Sequence, residues 1–253
     1  MAHRRSGTTV FKDMLRNSGK THFDGDHEVF HTSVNSVKNF YHFWHHKVLE
    51  NPKYLHSPGR NDVMIEFLDY KSSIYPAEIA GFDIKYYQFR QCSLLFEILV
   101  NSNCTFIHLI RSNIVKEYIS DYLLSVEKKT KQNWTGRTFI ENIDQFEKGI
   151  TDRINEIEHF KRRLVHAKLP PSRLINLEYE SLFADLDYKG SGRHLSPTVL
   201  EQLEPLLGEN LDARQFWTSR TKTNAPGCRE IIENFDEVRS AITDEKILNQ
   251  LDA

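Results

Sequence analysis

The sequence has few cysteines and no long apolar run, and both absences limit what the chain can be. Its three cysteines are widely spaced, with no C-x-x-C pair, so we expect neither a disulfide framework nor a cysteine zinc site. The longest apolar stretch, Cys92–Val100, is interrupted by Glu97 and is too short to cross a bilayer. The first 20 residues are charged where a secretory signal would be apolar. These features predict a cytoplasmic protein with no membrane span.

The sequence also has no large surplus of positive or negative residues and no low-complexity stretch. The net charge is −2 and the isoelectric point is near 6.6, whereas a general nucleic-acid binder needs a basic surplus. No tract of Pro, Gly or Ser marks a linker, and 39% of the 253 residues are hydrophobic. We therefore expect one domain over residues 1–253, no nucleic-acid partner, and a local cluster of positive charge for any anionic ligand.

Helical spacing of apolar residues alternates with strand-like runs along the chain. The predicted helices are Thr8–Asn17, Ser33–Leu49, Ser93–Val100, Ile114 to about Lys131, Phe139–His166, and residues 197–207 and 228–242. The predicted strands are Gly81–Tyr87, Cys104–Ile110 and Arg173–Glu178. This alternation predicts an α/β fold with a parallel sheet flanked by helices, whose ligands bind at the carboxyl ends of the strands.

A glycine, three hydroxyl groups and two guanidinium groups stand directly before the first predicted helix, in Arg4–Thr9. Backbone N–H groups at a helix N-terminus form an anion site, and glycine lets the backbone approach the ligand closely. Arginine adds paired donors that suit phosphate or sulfate oxygens. By composition alone, a capped helix behind a solvated basic leader is an equal alternative.

This segment resembles the 5′-phosphosulfate loop of sulfotransferases that use 3′-phosphoadenosine 5′-phosphosulfate (PAPS), whose form is (K/R)-S-G-T-T at the head of a helix. In that family an apolar strand feeds the loop, whereas only Met1, Ala2 and His3 precede Arg4 here. The resemblance implies that Arg5 also stabilises the bridging oxygen as the sulfuryl group departs. The residues that it assigns to phosphosulfate binding are Arg5, Ser6, Gly7, Thr8 and Thr9.

A second anion site is indicated where a predicted strand ends at Arg111 and a helix carries Ser120 nine residues later. An arginine at the carboxyl end of a buried strand points toward the ligand crevice, although Arg111 alone could equally begin a surface loop. The stretch is similar to the 3′-phosphate motif of sulfotransferases, which implies Arg111 and Ser120 as ligands of the 3′-phosphate. The spacing and the Arg-x-Asn sequence look most like bacterial carbohydrate sulfotransferases of the nodulation-factor and trehalose type.

The resemblance implies a three-layer P-loop nucleotide-binding fold, PAPS as sulfuryl donor, PAP as product, no metal, and a small-molecule or carbohydrate acceptor. Variable helical regions at about residues 33–75 and 130–168 are expected to form the acceptor side. Leu177–Leu182 resembles a family strand end. The segment Gly81–Gln88 resembles a strand whose lysine, Lys85, contacts the transferring group, and Arg220 and Lys222 resemble a basic loop that binds the nucleotide.

Glu28 is the first candidate for the base that takes the acceptor proton, because it follows the first helix in an E-x-F context like that of the carbohydrate enzymes. His27 and His31 are the alternatives. The same residues spell H-E-x-x-H, so a zinc hydrolase is the competing function. A non-catalytic PAP-binding protein is a further alternative. A Walker-type kinase is not favoured, because Met14 stands where that loop needs glycine.

Overall fold

The protein is a mixed α/β structure in which most predicted helices form at the expected places. The computed structural model describes residues 1–2, 6–23, 28–32, 39–74, 79–130, 137–183, 192–219 and 227–253, with backbone only for residues 57–58 and 124–130. The described helices are α1 Thr8–Asn17, α2 Phe40–Glu50, α3 Ser57–Ser73, α4 Tyr86–Gln91, α5 Leu95–Asn101, α6 Ile114–Thr130, α7 Ile143–His166, α8 Pro197–Leu207, α9 Cys228–Ile231, α10 Phe235–Ala241 and α11 Glu245–Leu251. The described strands are β1 Thr21–Phe23, β2 Ile79–Gly81, β3 Phe106–Ile110, β4 Leu174–Glu178, β5 Arg193–His194 and β6 Trp217–Thr218.

Helix α7 shows how the sequence pattern produces these elements. Phe146, Ile150, Ile157 and Phe160 recur at helical spacing and are all buried, so one face of the helix packs into the core. The side chain of Asn142 accepts a hydrogen bond from the backbone N–H of the third helical residue and caps the start. Helices α2, α3 and α7 lie within the two stretches predicted to be helical.

The predicted strand Gly81–Tyr87 is wrong in its second half. Strand β2 ends at Gly81 and α4 begins at Tyr86. The alternating pattern was misleading because Gln88 caps the start of α4: its Oε1 accepts a hydrogen bond from the backbone N–H of Lys85 at 2.8 Å. The predicted helix over Ser33–Leu49 is confirmed from Phe40 onward, and residues 33–38 lie outside the described residues.

Four of the described strands form two parallel pairs, and Ala2 makes two further parallel bridges. Strand β1 pairs with β2, and β3 pairs with β4, both in parallel. Ala2 forms parallel bridges to both Lys85 and Leu109, and its backbone N–H donates to the carbonyl of Ile84 at 3.1 Å. Ala2 therefore lies between β3 and the segment that follows β2.

Helices cover both faces of β3. Its side chains alternate, as successive strand residues must. Phe106 and Ile110 pack into one hydrophobic cluster with α5, α6 and α7. Ile107 and Leu109 pack into a second cluster with α1 and α8. Within the described ranges, no helix has both the length and the apolar character that a membrane crossing requires.

A chain of polar contacts runs from the exposed Asn176 on β4 through the buried His108 to Tyr86 at the start of α4. His108 on β3 is fully buried, and its Nε2 lies 2.5 Å from the Tyr86 hydroxyl. Its Nδ1 lies 3.3 Å from Oδ1 of Asn176. Because the amide oxygen can only accept, the Nδ1 of a neutral imidazole donates and its Nε2 accepts from Tyr86. Burial lowers the pKa of His108 from 6.5 to about 3.

This lowered pKa predicts that the protein loses stability in mild acid. The unfolded chain takes up a proton at His108 below pH 6.5, whereas the folded chain does so only near pH 3. The stabilisation by neutral His108 is thus complete above pH 6.5 and is lost as the pH falls toward 3. At pH 5 the loss relative to pH 7 is on the order of 2 kcal/mol.

The measurement is urea unfolding of the unaltered protein and of His108→Gln at pH 7 and pH 5. The glutamine variant is less stable at both values, but its loss between them is smaller by on the order of 2 kcal/mol. Equal losses in the two proteins would show that His108 does not titrate on unfolding.

Candidate functional site

The start of α1 is an uncapped helix N-terminus next to the sheet. Gly7 stands at the N-cap with φ 86°, no side chain caps the helix, and its first turn carries no acidic residue. By contrast, Asn142, Ser196 and Asp244 cap the first amides of α7, α8 and α11. N–H groups that no side chain caps, together with the helix dipole, make the start of α1 suited to an anion. Predicted ligands Ser6, Thr8 and Thr9 lie here, with Ser6 buried and both threonines half-buried.

Tyr179 explains why glycine is needed at position 7. A Cβ on Gly7 would lie 2.2 Å from Cδ2 of the Tyr179 ring, far inside van der Waals contact. The left-handed φ adds a second penalty for any other residue. The backbone of the loop is therefore in direct contact with the residue that follows strand β4.

Lys85 reaches the same helix start from the neighbouring strand segment. Its Nζ donates to Oγ1 of Thr8 at 2.5 Å and lies 3.4 Å from the carboxylate of Asp83. Lys12 on α1 lies 3.1 Å from the same carboxylate. Burial by itself would raise the pKa of Asp83, but the charges of Lys85 and Lys12 outweigh it and hold the pKa below its usual value. The carboxylate thus holds a buried ammonium group beside the predicted phosphate loop.

Glu28 is hydrogen-bonded to the segment that follows Lys85. Its Oε2 accepts hydrogen bonds from the Tyr87 hydroxyl at 2.5 Å and from Nε2 of Gln88 at 2.9 Å. Gln88 in turn holds the backbone of Lys85. The first turn of α4 therefore connects Glu28, the candidate base, to Lys85 beside the loop.

The structure places Arg111 close to the Gly7 loop, through Tyr179. The Arg111 guanidinium lies 5.4 Å from the centroid of the Tyr179 ring, and its Nε lies 3.9 Å from a carboxylate oxygen of Glu180. That Nε is buried without a hydrogen-bond partner. Because Glu180 also accepts from the backbone N–H of Ser112 at 3.0 Å, an anion bound to Arg111 would compete with Glu180.

The start of α6, by contrast, is already capped. The backbone N–H groups of Ile114 and Val115 donate to Oε1 of Gln250, and that of Lys116 donates to Asn113. A ligand at this second site would therefore rely on side chains and not on helix amides. Ser120 lies on α6 and is half-buried.

Several predicted residues fall outside the described residues. These are Arg5 and His27 near the amino terminus, and Arg220 and Lys222 in the predicted basic loop. The described residues bring together the loop, Lys85, Glu28 and Arg111 around α1, β3 and β4.

A cavity of about 730 Å³ adjoins this group of residues. Lys85 and Tyr87 line it on one side, and α7 lines it on the other. Its floor includes Tyr86 stacked on Phe160, with ring centroids 4.5 Å apart. Its walls are polar, and two of their arginines are paired: Arg90 lies 2.5 Å from Glu156, and Arg153 lies 2.5 Å from Asp121.

The residues of the H-E-x-x-H sequence do not form a zinc-site helix over their described part. Residues 28–31 make a single turn, in which the backbone N–H of His31 donates to the carbonyl of Glu28 at 3.0 Å. The motif needs two histidines on one helix face. No group of three or more His, Cys, Asp or Glu side chains among the described residues is arranged to hold a metal ion.

Two contacts of this site were not predicted from the sequence. The hydrogen bonds of Tyr87 and Gln88 to Glu28 join residues about sixty positions apart, and the only available signal was their position beside Lys85. The contact of Tyr179 with Gly7 had no signal beyond the strand end in which Tyr179 stands.

No protein-family model, no curated protein and no solved structure matches this chain. The function is therefore argued from the geometry of the site.

Proposed function

We propose that this protein is a PAPS-dependent sulfotransferase with a three-layer P-loop fold. The observation that carries the proposal is the contact of Lys85 with Thr8 at the uncapped start of α1. A buried ammonium group beside free helix amides is an arrangement that binds a multiply charged anion. The parallel bridges of Ala2 to Lys85 and Leu109 support the fold, because the loop follows Ala2 closely in the sequence.

PAPS supplies the sulfuryl group, which passes to an acceptor hydroxyl and leaves PAP. The amides of Ser6–Thr9 and the Lys85 ammonium hold the phosphosulfate and stabilise charge on the leaving group. Glu28 removes the acceptor proton, and its hydrogen bonds from Tyr87 and Gln88 fix the direction of its carboxylate. Arg111 binds the 3′-phosphate. Transfer in line needs little more than this positioning and charge stabilisation.

The cavity beside Lys85 suggests a carbohydrate as acceptor. Its volume of about 730 Å³ has room for a sugar ring. Its paired arginines and carboxylates offer donors and acceptors for hydroxyl groups without a strong net charge. A polyhydroxylated neutral molecule matches these walls better than a lipid or a polyanion.

The first test is thermal unfolding with and without PAP. Saturation at a hundred times the dissociation constant adds about 2.7 kcal/mol of stability, which raises the Tm by several degrees for a chain of this size. Arg111→Ala is expected to weaken PAP binding about 10- to 100-fold, because a charge-assisted hydrogen bond is lost. Titration calorimetry with PAP measures this change.

ADP and zinc are the matched control ligands. ADP lacks the 3′-phosphate and is expected to raise the Tm less than PAP does, and zinc is expected not to raise it. The absence of a PAP shift in the unaltered protein would contradict the proposal, and a shift with zinc would favour the hydrolase. PAP affinity unchanged in a folded Arg111→Ala would remove Arg111 from the site.

A further inference from the structure

Arg193, at the start of β5, carries a positive charge that no described carboxylate neutralises. Most other arginines of the described chain have such a partner within 4.0 Å: Arg16, Arg90, Arg111, Arg153, Arg163, Arg214, Arg229 and Arg239. Arg193 lies over an aromatic ring instead, with its Cζ 3.3 Å from the centroid of Phe183. Burial lowers the pKa of its guanidinium. The guanidinium is only partly buried, so an anionic ligand has access to it.

Its second contact brings Arg193 to the site described above. Phe183, the ring beneath Arg193, packs against the ring of Tyr179 with centroids 5.6 Å apart, and Tyr179 acts against the effect of burial on the pKa of the guanidinium. The ring of Tyr179 is in contact with Gly7, and its centroid lies 5.4 Å from the Arg111 guanidinium. One tyrosine therefore joins two arginines and the phosphate loop.

The charge at Arg111 is only partly available to a ligand, because Glu180 lies 3.9 Å from its Nε. A phosphate monoester carries a charge of about −1.5 to −2 near neutral pH. Such a group needs more positive charge than Arg111 supplies beside Glu180. Arg193 is a further cation that the contacts of Tyr179 bring toward this place.

We propose that Arg193 is a second cationic ligand of the nucleotide and binds the same 3′-phosphate as Arg111. This inference rests on the proposed function. It assigns to the nucleotide site a residue that lies outside both anion motifs and stands 82 positions after Arg111 in the chain. The guanidinium lies over the Phe183 ring, and it has five N–H donors, so donors beyond the contact with Tyr179 remain for phosphate oxygens.

The test is titration calorimetry with PAP and with 5′-AMP, which lacks the 3′-phosphate. In Arg193→Gln we expect PAP to bind about 10- to 100-fold more weakly, the scale of a lost charge-assisted hydrogen bond. The affinity for 5′-AMP should not change. Arg193→Lys keeps the charge but loses the paired donors, and an intermediate affinity is expected. Arg214→Gln is the matched control, because Arg214 is exposed and already paired with Asp212 at 2.7 Å.

A structural role for Arg193 predicts a different result. If Arg193 only held Tyr179 and Phe183, its replacement would lower the Tm of the ligand-free protein and weaken PAP and 5′-AMP equally. A ligand-binding role predicts instead that PAP loses affinity and 5′-AMP does not, whatever the change in the ligand-free Tm. PAP binding to the unaltered protein with equal affinity in Arg193→Gln would overturn this inference alone. No PAP binding to the unaltered protein would overturn the proposed function and this inference with it.

Discussion

Replacing Glu28 by glutamine is expected to lower the rate of sulfuryl transfer about 10²- to 10⁴-fold, the usual contribution of a general base. Glutamine has the same shape and can still accept hydrogen bonds from Tyr87 and Gln88, so the turn at the start of α4 should persist. It cannot take up the acceptor proton. The affinity for PAP should therefore be unchanged while turnover falls. Radiolabelled sulfuryl transfer from PAPS to a panel of neutral oligosaccharides measures the rate.

The control for this prediction is Glu158→Gln. Glu158 is an exposed carboxylate on α7, paired with Lys161 at 2.8 Å, and its loss should leave the rate unchanged. Full activity in Glu28→Gln would remove Glu28 from the role of base. In that case, loss of activity in His31→Gln would assign the role to His31.

Replacing Asp83 by asparagine is expected to lower the free energy of unfolding by about 3 to 5 kcal/mol at pH 7. The change leaves the ammonium groups of Lys12 and Lys85 without a counter-charge, and both side chains are about 95% buried, with relative exposures of 4% and 5%. Because the pKa of Asp83 is held below its usual value, its stabilisation is present above about pH 4 and is lost as the pH falls through the folded pKa. Urea unfolding at pH 7 measures the difference.

Two further variants make this test specific. Asp212→Asn removes an exposed partner of Arg214 and should cost less than about 1 kcal/mol. The double variant with Asp83→Asn and Lys12→Met removes one of the two unpaired charges and should recover part of the lost stability. A loss in Asp83→Asn no larger than in Asp212→Asn would show that the buried ion pairs contribute little.

The helices and the buried strands could be predicted from the sequence because their signals are local. Apolar spacing located α1, α6, α7 and α8 within a few residues of their bounds. The same reasoning failed at α4. Its alternating residues fit a strand, but the side chain of Gln88 caps a helix that begins there. It also missed β1, whose three residues are too short for a periodic pattern.

The candidate site could be predicted only in part, because its motifs are local but its contacts are not. The loop at Ser6–Thr9 and the strand end at Arg111 are contiguous patterns, and the structure places both around Tyr179. The hydrogen bond between Glu28 and Gln88 and the contact of Arg193 with Tyr179 join segments that are far apart in the sequence. No spacing rule connects such residues.

The sequence by itself determined which segments are helical, which are buried strands, and that two short stretches have the chemistry of anion sites. Those properties depend on the order of neighbouring residues, because the geometry of a helix or a strand repeats every few residues. Only the tertiary structure decided that Lys85 meets Thr8, that Glu28 is held beside them, and that a second arginine reaches Tyr179. Parallel strands and packed helices bring these residues together, because side chains far apart in the chain become neighbours only when the core forms.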